Sequence, residues 1–250
     1  MRSGSMQVMA IIPARWASSR FPGKALAQIA GLPMIVRVWQ RTRRARRVDS
    51  VLVATDDERI AEVCYEYGID VAMTSPEHAT GTDRLAEVAR THAADVYVNV
   101  QGDEPVIDPQ TIDTVVDCLL SARESGVEVA TAYLRGASEE QKRSPSTVHL
   151  LCGQDQCVMA FSRLAIPYCM KADYVHTVHV GLYAYTRDAL MWFAGTAPGP
   201  VELAESIEPL RFLEHGRRIV CVQVSGESIG VDEPQDVQRV EAILARDAPQ

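Results

Sequence analysis

The chain has 250 residues, 47% of them hydrophobic and 23% charged, with a formal net charge of −8 at pH 7. That length allows one domain with a substantial core, and the acidic balance excludes a general nucleic-acid binder. No apolar run reaches the ~18–20 residues of a membrane span, and the start lacks the long apolar stretch of a secretory signal.

The charge is unevenly spread. The first fifty residues carry ten Lys/Arg against one acidic residue, Asp49, so a basic N-terminal section sits on an acidic body. This suits a small anionic ligand bound near the N-terminus. Cys64, Cys118, Cys152, Cys157, Cys169 and Cys221 form no C-x-x-C pair, which fits reduced thiols in a cytoplasmic protein. The five residues before Met6 read as an extension outside a fold spanning 6–250.

In chain order, "VMAIIPA" predicts a buried strand, "LPMIVRVWQRTRRA" a helix and "SVLVAT" a second strand. "DERIAEVCYEYG" predicts a helix, "DVAMT" a third strand, "GTDRLAEVARTH" a helix and "DVYVNVQ" a fourth strand. Such alternation implies an α/β fold with a mostly parallel sheet and helices on both faces. The helix "PQTIDTVVDCLLSARESG" follows, then strands at "VATAYL", "STVHLLC", "CVMAFS" and "HVGLYAY". The remainder predicts helices at "RDALMWFAG" and "ELAESIEPLRFLEHG", a strand at "IVCVQV" and a C-terminal helix in "EPQDVQRVEAILAR". No repeat and no long linker divides the chain, so the expectation is one domain.

Ligands of such sheets gather at the carboxyl ends of strands. Arg15, Asp56, Gly81 and Asp103 each follow a predicted strand or open the next helix. In "AIIPARWASSRFPGK", residues 10 to 24, Arg15, Arg20 and Lys24 follow the first strand at once. Small residues there, Ala14 among them, let backbone amides approach phosphate oxygens, and three cations can stabilise a pyrophosphate leaving group. The loop lacks the dinucleotide and Walker fingerprints. A merely solvated basic loop is the competing reading.

In "VNVQGDEP", Asp103 presents a carboxylate at the sheet edge, where it can hold Mg²⁺ against phosphates; alternatively it caps the next helix. Asp232, in "SIGVDEP", repeats the pattern, and spacing leaves open whether the two meet at one metal. "TGTDR" opens a helix whose backbone at Gly81 could approach a base or phosphate, and Thr82 could equally be a cap. "RTRRARR" complements a helix C-terminus and has no aromatic platform for nucleic acid. His179 and Tyr183 share a strand, and a lone strand histidine is commonly structural. Glu202, Glu205 and Glu208 recur every three residues, which predicts a solvated helical stripe, most of all for Glu202.

"IIPARWASSRFPGKAL", "VATDDERIAEV", "GTDRLAEVA", "VNVQGDEPVI", "FSRLAIPY", "HVGLYAY" and "GVDEPQDVQRVEAIL" together resemble the 3-deoxy-manno-octulosonate cytidylyltransferases over nearly the whole chain from Met6. The resemblance implies a cytoplasmic homodimer with an α/β nucleotidyltransferase fold and a small β-rich dimerisation and acceptor elaboration. It implies CMP transfer from CTP to an acidic sugar, with Mg²⁺ and release of pyrophosphate. It places phosphate binding on Arg15, Arg20 and Lys24, cytosine recognition near Thr80, Gly81 and Thr82, and the metal on Asp103 and Asp232. Gln101 falls between nucleotide and acceptor. Arg163, His179, Tyr183 and Glu208 fall on the acceptor.

Departures from the family pattern gather on the acceptor side: Pro209 stands where Gln is usual, His149 where Lys is usual, and the segment before His179 is short. A lost Gln removes hydrogen bonds to a polyol. The expectation is therefore CMP transfer to octulosonate or to a different small acid, such as a phosphonate (phosphonoformate is one candidate). A nucleotide-binding module without catalysis is the third alternative.

Overall fold

The computed structural model describes residues 6–17, 21–226 and 229–247. The chain forms two compact units, Met1–Asp113 with Gly226–Gln250, and Thr114–Ser225. Residues 1–5, and with them the N-terminal extension, lie outside the described residues.

In the first unit, β1 (Val8–Ala14) is buried over most of its length on both faces, which explains its continuous apolar run. The chain then forms a short hairpin, β2 (Gln28–Ile29) and β3 (Leu32–Pro33), and enters α1 (Met34–Thr42). The helix expected to start at Leu32 is thus shortened: Leu32 and Pro33 pair with the preceding strand. Next come β4 (Ser50–Thr55), α2 (Glu58–Glu66), β5 (Asp70–Met73), α3 (Gly81–Thr91) and β6 (Val96–Asn99). All pairings are parallel, in the order β6-β1-β4-β5. Asp57 caps α2 by accepting from Arg59 N at 3.0 Å, and Thr80 caps α3 by accepting from Asp83 N at 3.1 Å.

Helix α4 (Pro109–Ala122) carries the chain into the second unit. There β7 (Val129–Arg135) is followed by α5 (Glu139–Arg143), β8 (His149–Cys152), β9 (Val158–Ser162) and β10 (Thr177–Thr186). Strands β8 and β9 form an antiparallel hairpin, while β10 pairs antiparallel with β7 and bulges between Val180 and Tyr183. Three helices follow, α6 (Arg187–Ala194), α7 (Pro200–Glu205) and α8 (Leu210–Glu214), then β11 (Val220–Gln223), parallel to β7. The chain returns to the first unit and ends in α9 (Asp236–Asp247). Val231, Val240 and Ile243 there pack with Ile29, Met34 and Val106 in one apolar cluster.

Two expectations about residues 202–216 are corrected. The single helix is broken into α7 and α8, because Ser206 is left-handed (φ 53) and Pro209 has no N–H to continue the ladder. Glu202 is no solvated stripe. It is buried, and both its oxygens accept from Arg211, Nε to Oε2 at 2.8 Å and Nη2 to Oε1 at 2.6 Å. Arg211 also donates to the Phe193 and Thr196 carbonyls, so one carboxylate and two backbone oxygens take four of the five donors of the buried guanidinium.

Candidate active site

Three chain segments meet at the carboxyl ends of β1 and β6. Gly102 brings the first two together, since a Cβ there would lie 2.6 Å from the Pro13 carbonyl oxygen. Only glycine allows this approach, and it sets Gln101 and Asp103 beside the end of β1. A Cβ on Gly81 would touch Pro13 at 3.6 Å and the Asn99 amide at 3.9 Å, so the first turn of α3 lies at the same edge. Thr80 caps that turn and Thr82 is buried within it. The cap is thus Thr80 and not Thr82. Ala14 ends β1, and Arg15 follows it exposed. Arg20 lies outside the described residues.

Lys24 is the centre of this cluster. Its Nζ donates to Asp103 Oδ2 at 2.6 Å, to the Val231 carbonyl at 3.1 Å and to Asp232 Oδ1 at 3.4 Å. Val231 N in turn donates to the Asp103 carbonyl at 2.8 Å, which ties the two carboxylate-bearing segments together. Asp232 N and Glu233 N both donate to Asp236 Oδ2, at 3.0 and 2.9 Å. Side-chain exposures of 18%, 29% and 42% for Lys24, Asp103 and Asp232 leave the cluster open to a ligand.

Among the described residues no group of three or more His, Cys, Asp or Glu side chains is arranged to hold a metal ion. The donor set at Lys24 nevertheless fits Mg²⁺. Two carboxylates already converge on one cation, and Mg²⁺ commonly takes one or two protein carboxylates with phosphate and water completing its shell. Sequence reasoning overlooked Asn99 here: it is buried at the end of β6, and its Oδ1 has no hydrogen-bond partner among the described residues.

The second unit holds the other expected residues. His179 stacks edge-on against Phe161 and lies 5.2 Å from the Tyr183 ring, so the pair meets despite the bulge between them. Its Nε2 lies 3.0 Å from Thr131 Oγ1, whose hydroxyl donates to the Leu182 carbonyl at 2.9 Å. Burial lowers the His179 pKa from 6.5 to about 3. Burial raises the Tyr183 pKa well above its ordinary value, with Tyr185 and Glu208 adding to the rise, which sets Glu208 near the phenol.

Arg163 is differently employed from a free anion receptor. Its Nε donates to the Glu205 carbonyl at 2.6 Å, Nη1 to Pro145 at 2.7 Å and Nη2 to Ser206 at 3.2 Å. Three backbone carbonyls thus take three of its five donors. His149 is wholly buried with Nδ1 2.8 Å from the Thr177 carbonyl, so it lies at no binding surface.

A family model described as cytidylyltransferase matches residues 9–219. The chain belongs to the cytidylyltransferase family. The 3-deoxy-manno-octulosonate cytidylyltransferase of Geobacter metallireducens is 47% identical over 96% of this chain and 99% of its own. The enzyme of that name from Myxococcus xanthus is 42% identical over 96% and 97%. A solved CMP:2-keto-3-deoxy-manno-octonic acid synthetase complexed with CTP superposes with a TM-score of 0.90 at 38% identity, covering 97% of this chain and all of that one. A glucose-1-phosphate thymidylyltransferase from Bacillus anthracis, at 16% identity and a TM-score of 0.68, shares the fold. The cytidylyltransferase is therefore an α/β nucleotidyltransferase and an enzyme, and the reading as a binding module without catalysis is set aside. No described helix is long and apolar enough to cross a membrane.

Proposed function

We propose that this cytidylyltransferase transfers CMP from CTP to 3-deoxy-manno-octulosonate and releases pyrophosphate. The observation that carries the reading is the convergence of Lys24, Asp103 and Asp232 beside the ends of β1 and β6. The relatives named octulosonate cytidylyltransferase, 42–47% identical over nearly all of this chain, support the acceptor. Of the acceptor-side departures, His149 loses its force because it is buried, and Pro209 stands at the N-terminus of α8.

An acceptor hydroxyl oxygen attacks the α-phosphorus of CTP in line. One P–O bond forms, the bond to the bridging oxygen of the β-phosphate breaks, and the hydroxyl proton passes to solvent. Arg15 and Lys24 face the charge that grows on the departing pyrophosphate, with Arg20 assigned the same role. The turn at Thr80, Gly81 and Thr82 receives the cytosine, and Gln101 lies between donor and acceptor. Asp103 and Asp232 would hold Mg²⁺, which would supply Lewis-acid charge at the phosphate oxygens. His179, Tyr183 and Glu208 orient the acid; His179 does so as an uncharged imidazole, because burial disfavours its cation. Arg163 serves this group chiefly by fixing the backbone at Pro145, Glu205 and Ser206.

The enzyme acts as a homodimer in the cytoplasm. Leu164, Tyr168, Met170 and Leu203 leave 68–85% of their surface exposed, an apolar area suited to a second copy. Six unpaired cysteines suit a reducing compartment. The test is kcat/KM from pyrophosphate release, with each nucleoside triphosphate and a panel of sugar acids and small phosphonates. The reading requires CTP and octulosonate to be the best pair. Higher efficiency with a phosphonate would move the acceptor to the other acid considered above.

A further inference from the structure

Trp16 and Gly23 are in contact beyond the end of β1. Gly23 N donates to the Trp16 carbonyl at 3.0 Å, and a Cβ on Gly23 would lie 3.0–3.3 Å from the indole ring. With φ at 69, Gly23 also takes a backbone form that side chains disfavour, and Lys24 follows directly. The indole carries a second contact. The Arg59 guanidinium lies over it, 3.4 Å from the ring centroid.

Arg59 does not reach the ring by chance of rotamer. Asp57 accepts from its Nε at 2.9 Å and its Nη2 at 2.6 Å, a two-point grip that fixes the plane of the guanidinium. The same carboxylate caps α2 by accepting from Arg59 N, so the aim of the side chain is set by the helix itself. Arg59 is exposed, and solvent weakens its charge; its flat face and forked donors are what a lysine cannot reproduce.

We propose that Arg59, aimed by Asp57, is a positioning residue for the nucleotide phosphates. It holds Trp16, and through Trp16 it holds Gly23 and the adjoining Lys24 in their receiving form before the nucleotide arrives. The inference rests on the CTP reading above. A loop that visits other conformations binds more weakly in proportion to the fraction that is competent. Once the nucleotide is bound that loss has been met, so the chemical step is unaffected.

The experiment compares KM for CTP and kcat in Arg59→Ala, Arg59→Lys, Trp16→Ala, Trp16→Phe and the Trp16→Ala/Arg59→Ala pair. Arg59→Ala, Arg59→Lys and Trp16→Ala should raise KM for CTP about 3–10-fold with kcat held within about twofold. Trp16→Phe, which keeps a ring face, should stay near the wild type. The double variant should match either single one, because each removes the same contact. A KM for Arg59→Ala within twofold of wild type overturns the proposal, as do multiplied effects in the double variant. A fall in kcat alone, the mark of lost folded enzyme, overturns it too.

A second readout needs no nucleotide. With Trp39 and Trp192 replaced by Phe, acrylamide quenching of Trp16 should increase on Arg59→Ala, and unchanged quenching would refute the contact. A wild-type chain that fails to use CTP would overturn the functional reading, whereas normal CTP turnover with an unchanged Arg59→Ala would overturn this proposal alone.

Discussion

The Lys24 ammonium lies 2.6 Å from Asp103 Oδ2 and 3.4 Å from Asp232 Oδ1, partners 79 and 208 residues away in the chain. One ammonium faces two carboxylates, so the trio keeps a formal negative charge that a cation can meet. On the proposed reading, Lys24 would turn to the triphosphate while Asp103 and Asp232 would hold the metal.

Asp103→Asn keeps the shape of the side chain and removes its charge. The expected result is a loss of roughly 10²–10³-fold in kcat at ordinary Mg²⁺, with the fold unchanged. Steady-state pyrophosphate release and a thermal melt check the two halves of this claim. Near-normal turnover would remove Asp103 from the metal site.

Glu202→Gln should destabilise the protein. The Arg211 guanidinium stays buried, and without its carboxylate partner a buried charge is left uncompensated. Such losses commonly cost about 3–5 kcal/mol. Urea unfolding should show a lower midpoint, and replacing both Glu202 and Arg211 with well-packed apolar residues should recover much of the loss.

The parallel strands were legible because strands buried on both faces must be continuously apolar, as "VMAIIPA" and "SVLVAT" are; both match their observed bounds residue for residue. Asp103 and Gly81 were legible because residues that follow a strand or open the next helix collect at one edge. Other features depend on contacts that no local pattern records. An acid every three residues looks the same whether it faces water or, like Glu202, a buried Arg211. The break at Ser206 follows from a left-handed backbone that serine rarely adopts. Arg163 matched an acceptor motif, yet its bonds to three carbonyls appear only once α7 is folded against β9. The Trp16–Arg59 contact joins residues 43 positions apart, and neither carries a signature of the other.

His179 gives the enzyme a pH dependence of defined sign. Its folded-state pKa of about 3 lies below the unfolded value near 6.5. The unfolded chain therefore binds the proton first, and the folded state loses stability as pH falls from 6.5 towards 3. The slope is at most about 1.4 kcal/mol per pH unit, and smaller because the residue is only partly buried. His179→Gln should flatten this acid limb in melts taken between pH 7 and pH 4. An acid limb of unchanged steepness would mean that His179 is not the group responsible.

The central claim, CMP transfer to an acid at the Lys24, Asp103 and Asp232 cluster, is tested most directly by ³¹P NMR of the wild-type reaction. CTP, Mg²⁺ and octulosonate should give a phosphodiester resonance and pyrophosphate in equal amounts, and Asp103→Asn under the same conditions should give neither. Pyrophosphate appearing with free CMP and no phosphodiester, or the same product formed at full rate by Asp103→Asn, would contradict the account.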